Sequence, residues 1–287
     1  MTQAPFTLVR PERLETSVIF ASPHSGRDYP PAFLAAAVPD ERGIRSSEDA
    51  YVDELIDAAP RYGAPFLAAR APRAYVDLNR APEELDPALI EGVRRAANNP
   101  RIASGLGVVP RVVANGRAIY RGKIGLDEVH GRINRHWRPY HDTLQSLIDD
   151  SHRHFGEAIL IDCHSMPHEA LESVVGLGGR HPDVVIGDRF GAAAANSIVE
   201  RVEAALASAG LRVVRNTPFA GAYITQHYGR PSRRQHAIQI EIDRRLYLDE
   251  RRIAKSEGFG AFRALLETVI AEIAQIGRPA ASKIAAE

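Results

Sequence analysis

The chain has 287 residues, 45% of them hydrophobic, which is enough to bury a substantial core in an α/β domain. Its 36 basic and 36 acidic residues balance to a formal net charge of zero, which gives no support for a nucleic-acid partner or an anionic membrane surface. Its one cysteine excludes an intramolecular disulfide and is consistent with a reducing compartment. The N-terminus lacks the basic and apolar regions of a signal peptide, and no apolar run reaches the roughly 18 residues of a membrane span. We therefore expect a soluble, cytoplasmic protein with one domain over residues 1–287, of which 280–287 form a flexible tail.

The first quarter of the chain predicts a strand, a turn and a helix. The strand, at Thr16–Ala21, leads into a turn-rich segment at Ser25–Pro31. The helix covers Glu48–Tyr62, carries an apolar face and is capped by Ser46 or Ser47.

The middle of the chain is rich in short elements. Strands are predicted at Ala64–Ala68, Ala74–Leu78, Val108–Val113 and Arg117–Tyr120. The segment Asn98–Gly107 is typical of a loop, and Asn115-Gly116 between the last two strands is a strong hairpin signal. A long helix follows over Asp127–Phe155, which Pro139 kinks or divides.

The rest of the chain also alternates between predicted strands and helices. It predicts strands at Ala158–Cys163, Glu172–Leu177, Val184–Gly187, Arg212–Arg215 and His236–Asp243, and helices at Gly191–Ala209 and Gly258–Ile276. Isoleucines alternate with polar residues along the last strand, so its two faces differ. Alternating strands and helices indicate a layered α/β fold, and the predicted hairpin makes its sheet mixed.

Two histidines directly follow buried strands. Val18–Ala21 leads to His24 in the string PHSG, and Ala158–Ile161 leads to His164 in the string DCHSMP. Because ligands bind at the carboxyl ends of strands in an open α/β sheet, the two histidines are well placed to share a metal ion. Asp162 shares a strand face with His164, where its carboxylate can orient the imidazole ring.

A third ligand is needed, since two histidines, one carboxylate and a position for water form a common hydrolytic zinc site. Asp49, beside Glu48 at a predicted helix start, can supply it, although acids in a first helical turn also complement the helix dipole. Asp28 and Asp53 are rivals for this role. Glu241 is the candidate general base; the alternative is a solvent-facing residue on a half-exposed strand.

Eight strings occur in a recognisable order: PHSG, EDAYVDEL, AYVDLNR, YRGKI, RPYH, DCHSMP, AYITQHYGRP and IQIEIDRRLYLDE. Together they resemble the N-formylglutamate amidohydrolase family from about Ser22 to Glu250. Two positions depart from the pattern expected of the histidine-pathway enzymes, namely Gln226 where Arg is expected and Cys163 where Ala is expected.

The resemblance implies a three-layer αβα fold with a central mixed sheet, similar to zinc-dependent exopeptidases. It implies a zinc hydrolase that acts on a non-peptide C–N bond and cleaves N-formyl-L-glutamate to formate and glutamate, late in histidine degradation. Carried over by motif, the metal ligands are His24, Asp49 and His164, and Glu241 is the general base. One Zn²⁺ per chain is expected, although cobalt and iron use similar ligands.

A substrate with two carboxylates requires cationic or multi-donor groups, and arginine suits planar carboxylates best. The candidates in or near the recognised strings are Arg80, Arg121 and Arg135, with Asn79 and Tyr223 as further donors. Two other functions remain open: a metallopeptidase or amidase that acts on another small acylated amine, and a non-catalytic binding protein.

Overall fold

The computed structural model describes residues 4–94, 99–174 and 179–279. Its main sheet has seven strands: β1 (Phe6–Val9), β2 (Val18–Ser22), β3 (Phe66–Ala69), β4 (Ala158–Met166), β5 (Val184–Gly187), β6 (Val213–Arg215) and β7 (Gln235–Asp243). Two short strands, β8 (Leu248–Asp249) and β9 (Ala254–Lys255), pair with each other in a separate antiparallel ladder.

The strand order of the main sheet is β1-β3-β2-β4-β7-β5-β6. The four middle strands β3, β2, β4 and β7 are parallel, whereas β1 is antiparallel to β3 and β5 is antiparallel to β7. The mixed sheet predicted from the sequence is confirmed. The predicted reason is wrong, because Asn115-Gly116 lies in a single 3₁₀ turn that is closed by one isolated bridge, Val112 to Ala118, outside the sheet.

Nine α-helical segments accompany the strands within the described residues: α1 (Pro31–Ala36), α2 (Glu41–Arg45), α3 (Val52–Leu55), α4 (Pro100–Ala103), α5 (Leu126–Arg132), α6 (Arg138–Phe155), α7 (Asn196–Ser208), α8 (Tyr223–Tyr228) and α9 (Phe259–Ile276). None of these helices combines the length and apolar character that a bilayer span requires.

Helices cover both faces of the sheet. On β2, Val18 and Phe20 pack into the core that α3, α7 and α9 close. Ile19 and Ala21 point the other way, into the core that α5, α6 and α8 close. Because both faces are covered, the middle strands are buried apolar runs, as in parallel sheets generally. The predicted α/β architecture of three layers around a mixed sheet is therefore confirmed.

Several predicted elements differ from the structure. The segments Val108–Val113 and Arg117–Tyr120, predicted as strands, join neither sheet, and the predicted loop Asn98–Gly107 contains α4. The helix predicted over Glu48–Tyr62 is divided into α3 and a 3₁₀ turn at Ala59–Tyr62, because Tyr51 has a left-handed φ of 63° and Pro60 interrupts the helical hydrogen bonds. The strand predicted at Ala74–Leu78 is a series of turns.

Other predictions are confirmed in outline or cannot be compared. The long helix over Asp127–Phe155 is present as α5 and α6, which a π-helical turn at Ile133–Trp137 joins, and Pro139 stands in the first turn of α6. Of the strand predicted at Glu172–Leu177, the described part is a turn and the remainder lies outside the described residues, as does the predicted tail at 280–287.

Parallel strands β2, β4 and β7 end at the same edge of the sheet. On β4, one face carries Ala158 and Leu160 in the core and then Asp162 and His164 toward the carboxyl end. The same face therefore changes from apolar to ionisable toward the carboxyl end of the strand.

Candidate metal centre and its cavity

Three buried side chains meet beyond the ends of β2 and β4. His24, Asp49 and His164 each offer one ligating atom, and these atoms all lie within 4.8 Å of one another. The Nδ1 atom of His164 is 2.8 Å from Oδ2 of Asp49, and Nδ1 of His24 is 3.5 Å from the same oxygen. Both imidazoles thus turn the same nitrogen toward one carboxylate.

The opposite ring nitrogens are held by other polar groups. Nε2 of His24 lies 2.7 Å from Oδ1 of Asp77, and Nε2 of His164 lies 3.0 Å from Oδ2 of Asp162 and 3.1 Å from Nδ2 of Asn79. Carboxylates in this position fix the tautomer and ring orientation of metal-binding histidines. The Nδ1 atom of His24 is buried and has no hydrogen-bond partner among the described residues. A buried nitrogen left in this way, beside a carboxylate, fits a cation.

The string PHSG holds His24 through a close backbone approach. A Cβ atom on Gly26 would lie 2.2 Å from the carbonyl oxygen of Ala71, so only glycine fits there. This contact fixes the loop that carries His24 beyond the end of β2.

Asp49 belongs to a turn and not to a first helical turn. Its backbone N–H donates to the carbonyl of His24 at 3.0 Å, and the left-handed residue Tyr51 separates it from α3. A bulky residue with this φ is strained, and such strain concentrates where a functional side chain is held in place.

The other acids considered from the sequence are engaged elsewhere. Glu48 accepts hydrogen bonds from Tyr29 and Arg45. Asp28 pairs with Arg70, and Asp53 pairs with Arg27, both at partly exposed positions. Of the four candidates for a third ligand, the structure brings Asp49 to the histidines.

The centre attracts positive charge. Burial opposes ionisation of Asp49, yet its interactions with His164 and His24 hold the pKa of this carboxyl below its usual range. Burial likewise opposes protonation of His164, but the Asp162 carboxylate raises the pKa of the imidazole well above its usual value. A group of carboxylates around two imidazoles is a suitable environment for a divalent cation.

Glu241 stands beside His164 on the neighbouring strand, where the two residues are paired in register. It is 8% exposed and accepts a hydrogen bond of 2.8 Å from Nε2 of Gln239. Burial raises the pKa of Glu241 to about 7, against the opposing charge of His164. Glu241 lines a cavity, and a carboxyl group with a pKa of about 7 can accept and return a proton near neutral pH.

The cavity has a volume of about 670 Å³ and opens above the centre. Leu106, Val113 and Phe219 are among its apolar lining residues. The arginines among its lining residues are Arg73, Arg80, Arg101 and Arg244.

The predicted substrate contacts divide into two groups. Asn79 and Arg80 line the cavity. Arg121 and Arg135 are exposed and do not line it, because the turn after Tyr120 and the outer side of the π-helical turn face solvent. The structure therefore does not place these two arginines at the pocket.

Two residues of α8 also lie outside the cavity lining. Tyr223 is half-buried, with its ring 5.7 Å from Trp137 and 5.0 Å from His227. Gln226 is exposed, so the departure from the expected Arg at this position does not change the pocket described here.

Sequence reasoning missed four residues that complete the site. Asp77 and Arg73 form an ion pair at 3.0 Å. Asp77 lies inside the string AYVDLNR, so the sequence contained a pattern that could have identified it. Arg244 donates to Asp49 at 3.1 Å and lies inside the string IQIEIDRRLYLDE, three residues after Glu241. Arg101 stands in a segment interpreted as a loop, and no sequence pattern marked it.

Comparisons with known proteins agree with this geometry. The family model described as "FGase: N-formylglutamate amidohydrolase" matches residues 16–248. The N-formylglutamate deformylase of Pseudomonas aeruginosa is 31% identical over 269 residues, which cover 91% of this chain and 95% of that protein. The N-formylglutamate deformylase of Pseudomonas putida is 30% identical over 240 residues, which cover 81% and 82%.

A solved structure shows the same fold at higher identity. The crystal structure of N-formylglutamate amidohydrolase from Ralstonia eutropha JMP134 aligns with a TM-score of 0.88 and 37% identity, and the alignment covers 96% of this chain and 99% of that one. The matched stretch contains both strand-end histidines, the turn that carries Asp49, and Glu241. The chain belongs to the N-formylglutamate amidohydrolase family.

Proposed function

We propose that this protein is a metal-dependent amidohydrolase that cleaves N-formyl-L-glutamate to formate and L-glutamate. The observation that carries the proposal is the set of three buried groups, His24, Asp49 and His164, beside a buried glutamate in an arginine-lined cavity. The names of the related enzymes support the substrate.

In this proposal, one divalent cation, most simply Zn²⁺, is held by Nδ1 of His24, Oδ2 of Asp49 and Nδ1 of His164. The unpartnered Nδ1 of His24 and the carboxylates behind both rings support this donor set. When bound, such a cation polarises a carbonyl group and lowers the pKa of water to about 7.

Glu241 is the proposed general base. Hydrolysis adds one water molecule across the formyl C–N bond: the water oxygen joins the formyl carbon, and the nitrogen leaves with the glutamate. Glu241 takes a proton from the water and delivers it to the departing amine nitrogen. Its raised pKa, about 7, suits both transfers near neutral pH.

Arg80 is the proposed partner of the α-carboxylate of the substrate. It is 7% exposed, lines the cavity and follows Asn79, which contacts His164. Its guanidinium can therefore hold a carboxylate close to the reacting bond, where a bidentate pair would fix the orientation of the substrate.

The test is a formate-release assay on chelator-treated protein before and after addition of Zn²⁺. We expect hydrolysis of N-formyl-L-glutamate only with metal, and slow or no hydrolysis of dipeptides. Full activity without metal would contradict the metal centre, and faster cleavage of a dipeptide would favour a peptidase. Elemental analysis of protein purified without chelator should show about one metal ion per chain.

A further inference from the structure

The cavity carries an excess of positive charge that its own residues do not neutralise. Its lining residues include four arginines and one carboxylate, Glu241. Two of the arginines have carboxylate partners: Arg73 donates to Asp77 at 3.0 Å, and Arg244 donates to Asp49 at 3.1 Å. The other two, Arg80 and Arg101, form no ion pair with a carboxylate among the described residues.

Among the described residues, the hydrogen-bond partners of the Arg80 side chain are backbone carbonyls. Its Nε donates to the carbonyl of Leu106 at 3.0 Å, and its Nη1 donates to the carbonyl of Asn79 at 2.8 Å. These two bonds hold the guanidinium in a fixed orientation without neutralising its charge. A buried guanidinium without a carboxylate is costly, so an anionic ligand is expected to stabilise it.

Arg101 has neither a side-chain hydrogen bond nor an ion pair within the described ranges, yet it lines the same cavity from the short helix α4. Burial lowers the pKa of Arg80, and the charges of Arg73 and Arg101 lower it further, against the opposing charge of Asp77. Two guanidinium groups that line one cavity, each without an ion-paired carboxylate among the described residues, are suited to a ligand with two carboxylates.

The two arginines differ in their position relative to the proposed metal ligands. Arg80 directly follows Asn79, whose amide lies 3.1 Å from His164, whereas Arg101 belongs to α4, which makes no hydrogen bond to a proposed metal ligand among the described residues. In N-formylglutamate the α-carboxylate is attached to the carbon next to the scissile nitrogen, and the side-chain carboxylate is two methylene groups further away.

We propose that Arg101 is the specificity-determining residue that binds the side-chain carboxylate of the substrate, while Arg80 binds the α-carboxylate. This inference rests on the proposed function. Arg73 and Arg244 are less suitable for this second carboxylate, because each would have to leave the carboxylate that it already neutralises.

The test compares N-formyl-L-glutamate with N-formyl-L-glutamine, which differ in charge at the side chain. Arg101→Gln should lower kcat/KM for the glutamate substrate by at least about tenfold, mainly through KM, and leave the glutamine substrate within about twofold. The ratio of the two values should then approach one, and Arg101→Lys should restore part of it. Equal losses on both substrates, or no loss, would overturn the assignment.

Two further variants sharpen the comparison. Arg80→Gln should lower kcat/KM for both substrates alike, because the α-carboxylate is common to them. Arg94→Gln is the matched control, since Arg94 is exposed and does not line the cavity. Circular dichroism and metal content establish that each variant is folded.

A binding measurement separates this inference from the proposed function. Titration calorimetry of the metal-loaded protein with L-glutamate and L-glutamine needs no turnover. If the wild-type protein hydrolyses no formyl amino acid, the proposed function fails, but a preference for glutamate that disappears in Arg101→Gln still supports the role of Arg101. A preference that persists in this variant, or a wild-type protein without one, contradicts it.

Discussion

Each histidine of the proposed centre is oriented by a carboxylate at its Nε2 atom, on the side of the ring away from Asp49. Asp77 holds Nε2 of His24, and Asp162 holds Nε2 of His164, so that both Nδ1 atoms face Asp49. Asp77 also accepts hydrogen bonds from the side chain of Arg73 and, at 2.8 Å, from the backbone N–H of Asn79. Each carboxylate is thus a part of the centre although it is not a proposed ligand.

Asp77→Asn should weaken metal binding by about 10- to 100-fold, because it removes the negative charge that orients His24 and raises the basicity of its ring. Competition with a chromophoric chelator measures the affinity directly. Asp86→Asn is a matched control, since Asp86 is also buried and paired with an arginine, Arg111, but does not contact His24. Equal metal affinity in the Asp77 variant and the wild-type protein would show that this carboxylate is only structural.

Glu241→Gln should lower kcat by about two to four orders of magnitude and leave metal content unchanged. Glutamine keeps the size and the hydrogen-bonding capacity of the side chain but cannot accept a proton from water. Steady-state kinetics with elemental analysis of the same sample provides the measurement. Near-normal turnover would remove Glu241 from the mechanism.

At the scale of elements, strands β4 and β7 carry Asp162, His164 and Glu241 on one shared face of the sheet. Along this face β7 changes from Ala237 in the core to Gln239 and Glu241 at the cavity, as β4 changes from Leu160 to His164. The apolar halves of the strands pack into the core and fix the strands in the sheet. The polar residues at the strand ends are therefore held in a fixed position as well. Sites on such elements are held more precisely than sites on loops.

Gly26→Ala tests the loop that extends β2 to His24. The added methyl group would lie 2.2 Å from the carbonyl oxygen of Ala71, so the loop must move. We expect the free energy of unfolding to fall by about 1–3 kcal/mol and metal affinity to fall with it. Gly122→Ala is the control, since nothing lies within 4 Å of its added Cβ. Urea denaturation of both variants gives the comparison, and equal stabilities would contradict the contact.

Much of this element-scale arrangement can be predicted from the sequence. The runs Val18–Ala21 and Ala158–Ile161 are apolar on both faces, so the strands and the histidines after them are recognisable locally. The helix at Glu48–Tyr62 was predicted incorrectly, because its apolar spacing is helical while Tyr51 adopts a left-handed conformation that tertiary contacts impose. Local periodicity does not contain such information.

The residues that form hydrogen bonds to the proposed metal ligands are harder to predict, because they are distant from these ligands in the sequence. Asp77 is 53 residues from His24, and Arg244 is 195 residues from Asp49. These contacts depend on the strand order, which places β3, β2, β4 and β7 side by side. Sequence motifs therefore mark the two histidines and Glu241 as candidate site residues. Arg101 is recognised as a candidate only from its position in the cavity wall of the structure.

At the scale of the whole molecule, a buried histidine links three separate parts of the chain. His141 on α6 has Nδ1 2.9 Å from the hydroxyl of Tyr228 on α8 and Nε2 2.8 Å from the carbonyl of Leu78. The carbonyl of Leu78 can accept a hydrogen bond only from Nε2–H, so in the neutral ring Nδ1 is the nitrogen that can accept a hydrogen bond from the hydroxyl of Tyr228. Burial lowers the pKa of His141 to about 3.

This histidine predicts a loss of stability in acid. Between pH 6.5 and about 3 the unfolded chain binds a proton at position 141 that the folded protein excludes, so the free energy of unfolding falls as the pH falls. The stability lost between pH 6.5 and 5 is about 1.7 kcal/mol. Urea denaturation of the wild-type protein and His141→Gln at both pH values isolates it, because the difference between the two proteins should shrink toward pH 5. A constant difference would contradict the neutral state of His141.

The position of β7 has a consequence for biosynthesis. It is the last of the seven strands to leave the ribosome, yet it lies between β4 and β5 in the finished sheet. A nascent chain that has already produced His24, Asp49 and His164 therefore still presents β4 and β5 with unpaired edges. Open edges of this kind are templates for association between chains. We expect products that stop before residue 235 to aggregate, and the yield of native protein to depend on chaperones that shield these edges until β7 arrives.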